Sequence, residues 1–298
     1  MFFDREITTV FITRDEIRSA VFSPKGKIKK AVKTFSWNEE TLAGVLGEIA
    51  ARGPARTRVV FGEEFSYVTS VLIQGKKRAG IFRQAQEKIP ECLKNNWDFK
   101  KERSSEVELQ IAAITSKVLD LFEAGFAQAG LDVESIEPQS IAIGRLLPEK
   151  GLYLFITDDK KILLGYINDG TVELAYVTAE DRYLSELEDF IIYVRKKAGR
   201  EPEIVFIGRG IDPNYEIFQK NNILTKAIDL DPLRGTALKE NITGADYKVL
   251  NIENKKADLV ESKVAAKPSQ VSATGKVLVV ILIFLIILAT AIIFWRKF

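Results

Sequence analysis

The sequence lacks histidine entirely and contains a single cysteine, Cys92. Without an imidazole the chain cannot build a Ser-His-Asp or Cys-His catalytic site, a His-ligated zinc or haem site, or a histidine pH switch. One thiol closes no internal disulfide, which fits a reducing compartment, and we interpret Cys92 as a small buried hydrophobic residue. These absences exclude several common kinds of enzyme.

An excess of charge of either sign is also missing, since 43 basic side chains oppose 41 acidic ones. A net charge of +2 provides no broad positive field for a phosphate backbone, and we expect no nucleic acid partner. The length of 298 residues allows one large domain or two modest ones, each with its own core.

A long uncharged segment lies near the C-terminus, bounded by Val277 and Trp295. Its roughly 19 residues would extend about 28 Å as a helix, close to the ~30 Å thickness of a bilayer core. Lys276 precedes the segment and Arg296 follows it, as interfacial anchors commonly do. We therefore predict one transmembrane helix over residues 276–296. The N-terminus does not resemble a signal peptide, so we place the preceding residues in the cytoplasm.

A flexible linker is predicted over residues 233–275. Asn, Lys, Ala, Ser, Thr and Gly predominate between about 241 and 275, and no apolar period is sustained there. About 35 flexible residues reach roughly 30 Å on average. The head would thus stay near the membrane without being held rigidly against it.

The head contains an internal repeat, because residues 11–17 (FITRDEI) return about 144 positions later at 155–161 (FITDDKK). Each copy predicts strand, strand, strand, helix and strand. The predicted ranges are 7–13, 17–23, 27–35, 38–51 and 58–62, then 152–157, 162–167, 171–178, 181–198 and 204–208. Asn168-Asp169-Gly170 is typical of a tight hairpin. We predict an α/β fold with two duplicated lobes, 1–62 and 132–232.

An additional α+β module, residues 63–131, separates the two copies. Its predicted elements are a strand at 67–73, a helix at 77–89, strands at 97–101 and 107–114, and a helix at 116–129. After the second copy we predict a short helix at 215–220 and a strand at 224–230.

A duplicated unit with an insertion in its first half resembles the actin-like ATPase fold, which is also RNase H-like. Within residues 63–138, the segments VLI at 71–73, EKIP at 87–90, AGL at 129–131 and IEP at 136–138 follow one another in order. That order is similar to PilM of the type IV pilus platform and to the cytoplasmic half of GspL of type II secretion. The resemblance covers about residues 5–232 and implies a place at the bacterial inner membrane.

The nucleotide site of that fold is altered in this sequence. Its two strand turns hold phosphates through glycine backbone, whereas the turns here, 13–16 (TRDE) and 157–160 (TDDK), contain no glycine. Gly208 and Gly210 stand where the resemblance places an adenosine-contacting glycine pair, and they are the remaining nucleotide-binding candidates. We expect that ATP hydrolysis has been lost. No catalytic residue, cofactor or metal is predicted, with ATP and Mg²⁺ as the alternative.

The resemblance then implies a membrane-anchored scaffold, oligomeric in the membrane, that recruits an assembly ATPase or membrane proteins of the pilus or secretion platform. Candidate contacts to partner or lipid are the basic side chains Lys76, Lys77, Arg78 and Arg83, although such a cluster is commonly only a solvated helix end. Two alternatives stay open: an active membrane-bound actin-like ATPase that forms filaments, and a tail-anchored adaptor unrelated to pili.

Overall fold

The computed structural model describes residues 6–23, 25–72, 95–101, 108–158, 161–179, 181–208, 211–212 and 216–238. All of them belong to one compact unit, residues 1–252, while a second unit, 253–298, lies outside the described residues. Within the described ranges, no helix has the length and apolar character that crossing a membrane requires. The predicted membrane helix, with Val277 and Trp295, lies outside these ranges.

The first lobe is built on a five-stranded sheet in the order β3-β2-β1-β4-β8. Its strands are β1 (Ile7–Ile12), β2 (Glu16–Phe22), β3 (Ile28–Ser36), β4 (Arg56–Phe61) and β8 (Asp132–Pro138). The first three pair antiparallel through hairpins, and β1, β4 and β8 run parallel. Helices α1 (Leu42–Arg52) and α2 (Ser116–Ala129) pack together against the core of this sheet.

The second lobe repeats this arrangement in the order β11-β10-β9-β12-β13. Its strands are β9 (Leu152–Asp158), β10 (Ile162–Asn168), β11 (Thr171–Thr178), β12 (Ile204–Ile207) and β13 (Leu224–Ala227). Helices α4 (Tyr183–Ala198) and α5 (Glu216–Lys220) correspond to α1 and α2. The predicted hairpin is confirmed, since Asp169 and Gly170 both have positive φ, at 48° and 82°. The duplication predicted from the sequence is therefore present in the fold.

The inserted strands do not form a separate sheet. β5 (Ser66–Leu72), β6 (Asn95–Lys101) and β7 (Glu108–Thr115) continue the second lobe's sheet to eight strands, beginning where β5 pairs antiparallel with β11. The sequence placed α2 with this module, but Phe122 and Phe126 of α2 are buried in the first lobe's core. The helix predicted at 77–89 lies outside the described residues.

Two short helices that the sequence analysis did not predict join the lobes. α3 (Gln139–Gly144) follows β8, and its Ile141 and Ile143 pack on the second lobe's sheet. α6 (Pro232–Ala237) follows the second lobe, and its Leu233 and Ala237 pack on the first lobe's sheet. Each of these two helices therefore follows one lobe in the sequence and packs on the other lobe. Because α6 is buried there, the folded head includes residues 233–237, which were predicted to begin the linker.

Candidate functional site

A cavity between the lobes lies beside the turn from β1 to β2 and the start of β10, near the strand turns that the sequence analysis predicted to be altered phosphate sites. This cavity has a volume of about 20 Å³, enough for about one water molecule. The cavity is lined by side chains of both lobes: Phe11, Thr13, Asp15, Glu64, Gln139, Lys161, Leu163 and Val177.

The backbone of the first turn is already hydrogen-bonded within the protein. Thr13 N donates to Glu16 O at 2.9 Å, and Glu16 N donates to Thr13 Oγ1 at 3.2 Å. Arg14 N donates to Glu64 Oε1 at 2.9 Å. No residue of this turn has a positive φ, so the alternating backbone that forms an anion-binding nest is absent from the turn. Three amide groups that a phosphate would need are engaged elsewhere.

Glu64 reaches the turn with its carboxylate beside Gly62, whose lack of a side chain leaves room there. A Cβ on Gly62 would lie 2.4 Å from Glu64 Oε2, and real Cβ atoms do not approach so closely. Gly62 N also donates to Ile12 O at 2.8 Å, which fixes the end of β4 beside the end of β1. The carboxylate of Glu64 thereby occupies a position in the cleft at which an anionic ligand would be expected.

The preceding residue, Glu63, is buried and bonded to the start of α3. Its Oε1 accepts a hydrogen bond from Ser140 N at 2.7 Å at the start of α3, and its Oε2 accepts one from Ser66 Oγ at 2.9 Å. Glu63 is only 7% exposed. Burial raises its pKa, while the hydrogen bonds from Ser140 and Ser66 oppose the rise.

Acidic side chains therefore dominate this side of the cleft. Asp15 and Glu64 line the cavity directly, with Lys161 as a basic side chain of the opposite lobe. Two unit charges about 5 Å apart interact by roughly 3 kcal/mol at an effective dielectric constant of about 20. A triphosphate entering here would meet repulsion of that order from each carboxylate. The described residues include no group of three or more acidic or thiol ligands able to hold a metal ion.

Solved structures of other proteins share the two-lobed architecture. A structure of the PilM-PilN type IV pilus biogenesis complex aligns with a TM-score of 0.59 and 10% identity over 86% of this chain and 94% of that one. The cytoplasmic domain of EpsL, an inner membrane component of the type II secretion system of Vibrio cholerae, aligns at 0.53 and 16% identity over 81% and 100%. A Bacteroides thetaiotaomicron protein with an actin-like ATPase fold aligns at 0.53 and 9% identity over 80% and 97%.

The chain has the actin-like fold. Its predicted resemblance to PilM and to the cytoplasmic domain of GspL, the protein class of EpsL, is confirmed for the fold. No protein-family model matches the sequence, and no curated protein matches it either.

Gly208, one of the two nucleotide-binding candidates, directly follows β12 and packs against the end of β9. Its N donates to Ile156 O at 2.7 Å, and an added Cβ would lie 2.7 Å from Thr157 Oγ1. Gly62 makes the matching hydrogen bond in the first lobe. In the second lobe, Gly208 thus lets the ends of β12 and β9 come close together. Gly210, the other nucleotide-binding candidate, lies outside the described residues.

The predicted basic contacts Lys76, Lys77, Arg78 and Arg83 also lie outside the described residues. A second basic cluster, 195–197, is described at the end of α4, where two of its side chains bond within the head. Arg195 bonds to Asn221 at 3.0 Å, and Lys197 bonds to Glu173 at 3.3 Å and to Ser70 at 3.0 Å. Two of the three basic side chains of that cluster therefore make contacts within the head itself.

Sequence reasoning missed Glu63 and Glu64. A usable signal was present, because the pair directly follows Gly62 at the carboxyl end of the buried strand β4. The carboxyl ends of neighbouring parallel strands meet at one edge of a sheet, which is where an α/β fold places its binding site. Two acidic residues there, beside a turn without glycine, predict a site that repels phosphate.

Proposed function

We infer that the protein is a membrane-anchored, catalytically silent actin-like scaffold of a type IV pilus or type II secretion platform in the bacterial inner membrane. Its cytoplasmic head recruits the assembly ATPase or membrane proteins of the platform, and the assembly is oligomeric. Support for the setting comes from the fold shared with EpsL and PilM and from the uncharged segment at 277–295.

The hydrogen bond from Arg14 N to Glu64 Oε1 is the observation that carries catalytic silence. An actin-like ATPase needs this turn to bind phosphate through its backbone, and here a carboxylate of the same chain takes an amide group of the turn. Displacing Glu64 would not restore a glycine, and Asp15 would still face the ligand. The head keeps the architecture of a nucleotide-driven switch but not the backbone that would sense the nucleotide.

Recruitment is the function that this fold can perform without nucleotide. The solved relative PilM forms a complex with PilN, and we extend this kind of partnership to the present chain. The described head supports it with two lobes and an inserted module that widens one sheet to eight strands. A broad surface of this kind suits a binding platform.

Affinity purification of the full-length chain from its native membranes tests this function. We expect mass spectrometry to identify an assembly ATPase and a single-pass platform protein that are enriched with the full chain. The matched control is residues 239–298 fused to an unrelated soluble protein, which keeps the membrane segment and removes the head. Failure to recover either partner above that control would contradict recruitment and favour an adaptor unrelated to pili.

An ATPase assay on the same purified material separates the scaffold from the filament-forming ATPase. We expect no Mg-ATP turnover above the buffer rate and no ATP-dependent filaments by electron microscopy. Turnover that disappears on denaturing the protein, together with such filaments, would show that the head is a working enzyme.

A further inference from the structure

Strand β3 presents an unusual edge to solvent. It is the outermost strand of the first lobe's sheet, and all its residues except Phe35 are exposed. With the preceding turn it reads KGKIKKAVK over residues 25–33, which contains five lysines and no acidic residue. We name residues 25–33 the basic edge.

The lysines of the basic edge fall into two groups. Lys30 and Lys33 reach back to α1, where Lys30 donates to Arg52 O and Lys33 pairs with Glu48 at 2.7 Å. Lys25, Lys27 and Lys29 are exposed, and among the described residues none has an ion-pair partner. Three ammonium groups of the edge are thus available to an external anion.

Apolar side chains lie among these lysines. Ile28 is 49% exposed and Val32 is 42% exposed. A solvated sheet edge gains nothing from exposing them, whereas a lipid headgroup region accommodates apolar side chains next to lysines. The pattern resembles an interfacial surface more than a purely polar edge.

The basic edge also lies where the predicted tether leaves the head. Leu238, the last described residue, packs against the turn that begins the edge, since a Cβ on Gly26 would lie 2.6 Å from Leu238 Cδ2. Arg58 holds the end of α6 there by donating to Thr236 O and Ala237 O at 3.1 and 3.2 Å. A chain running to a membrane segment therefore starts beside these lysines.

We propose that the basic edge rests on the anionic headgroups of the membrane and sets the orientation of the head. This inference rests on the membrane anchoring that we infer above. Lys25, Lys27 and Lys29 contact lipid phosphates, while Ile28 and Val32 enter the headgroup region. A lysine near an anionic surface strengthens binding about fivefold, so three strengthen it about 100-fold.

Fluorescence quenching in nanodiscs tests the orientation on the full-length chain. All variants carry Cys92→Ser and one new cysteine for the fluorophore, either Ala31→Cys on the basic edge or Ala227→Cys on β13. Both alanines are exposed, and they lie on edge strands of different lobes, which makes them a matched pair. Nanodiscs contain nitroxide-labelled lipid with either a third phosphatidylglycerol or phosphatidylcholine alone.

We expect the label at position 31 to be quenched in anionic nanodiscs, and to lose that quenching in phosphatidylcholine or in 0.5 M NaCl. The label at position 227 stays bright throughout. The combined substitutions Lys25→Gln, Lys27→Gln and Lys29→Gln lower the equilibrium constant for lipid contact about 100-fold. Control substitutions at other exposed lysines, Lys196→Gln, Lys220→Gln and Lys226→Gln, leave the quenching at position 31 unchanged.

Equal quenching of both labels, or quenching at position 31 that ignores lipid charge and the lysine substitutions, would overturn the proposal. Protection of position 31 only when an acidic protein is added would assign the edge to a protein partner and overturn it as well. Carbonate extraction distinguishes failure of the premise: a chain that leaves the bilayer lacks the inferred anchor, whereas a retained chain with a bright label refutes the orientation alone.

Discussion

The crossing of α3 and α6 offers a sharp test of how the two lobes are joined. Gly235 of α6 lies against the backbone of α3, and a Cβ there would be 1.9 Å from Ala142 O and 2.6 Å from Ala142 C. Because the obstacle is backbone, no rotation of a side chain relieves it, and the helices must separate. Gly235→Ala therefore disrupts the contact between α3 and α6, the two helices that join the lobes.

The size of the effect follows from two opposing contributions. Overpacking costs about 1–3 kcal/mol, and a rigid backbone contact places this case near 3 kcal/mol. Replacing a helical glycine by alanine returns about 1 kcal/mol. The net loss of about 2 kcal/mol lowers the melting temperature of a domain of this size by about 4–8 °C.

Thermal unfolding of the full-length chain in detergent, followed by circular dichroism, measures this shift. The matched control is Gly44→Ala in α1, where an added Cβ meets nothing within 4 Å. We expect that control to raise the melting temperature by about 2–4 °C. If Gly235→Ala raised it too, the close crossing of α3 and α6 would be refuted.

Three further substitutions test the cleft and the end of the head. Glu63→Gln should gain stability relative to wild type as pH rises above about 4.5. Burial raises the pKa of Glu63 above its ordinary 4.5, so the carboxylate ionises more easily in the unfolded chain than in the folded one, and wild type loses stability there. Urea unfolding from pH 4 to 9 measures the difference, and a pH-independent value would contradict the prediction. Arg58→Met should lower the urea-derived free energy of unfolding by about 2–4 kcal/mol by removing charged hydrogen bonds to α6 and the ion pair with Glu134, and a loss below about 0.5 kcal/mol would refute that role. Gly208→Ala should lower the same free energy by about 1–2 kcal/mol through its contact with Thr157, and an unchanged value would show that the strand ends have room.

Local patterns were sufficient to predict many of the individual helices and strands. Strand β11 and helix α2 have the predicted bounds, 171–178 and 116–129, and the hairpin at Asp169-Gly170 has the predicted backbone. Alternating or helical periodicity and turn residues predict these elements, and each of these signals extends over only a few positions.

Contacts distant in sequence explain what the pattern did not show. The six residues of α3 include five buried ones, so no amphipathic period marks the helix. The pairing of β5 with β11 joins residues about a hundred positions apart, and nothing local selects that partner. The hydrogen bond between Arg14 and Glu64 spans 50 positions. The absence of glycine from the turn predicted a weakened phosphate site. Only the fold shows that the carboxylate of Glu64 accepts the hydrogen bond from the backbone amide of Arg14.

Direct measurement of Mg-ATP binding to the full-length chain is the sharpest test of a silent actin-like head. Isothermal titration calorimetry of the detergent-solubilised protein, with Mg-GTP as a second ligand, measures the affinity without requiring turnover. We expect no saturable heat for either nucleotide up to millimolar concentration, because Glu64 binds an amide group of the first turn and Asp15 lines the same cavity. Saturable binding of one Mg-ATP per chain with a micromolar dissociation constant would contradict the account.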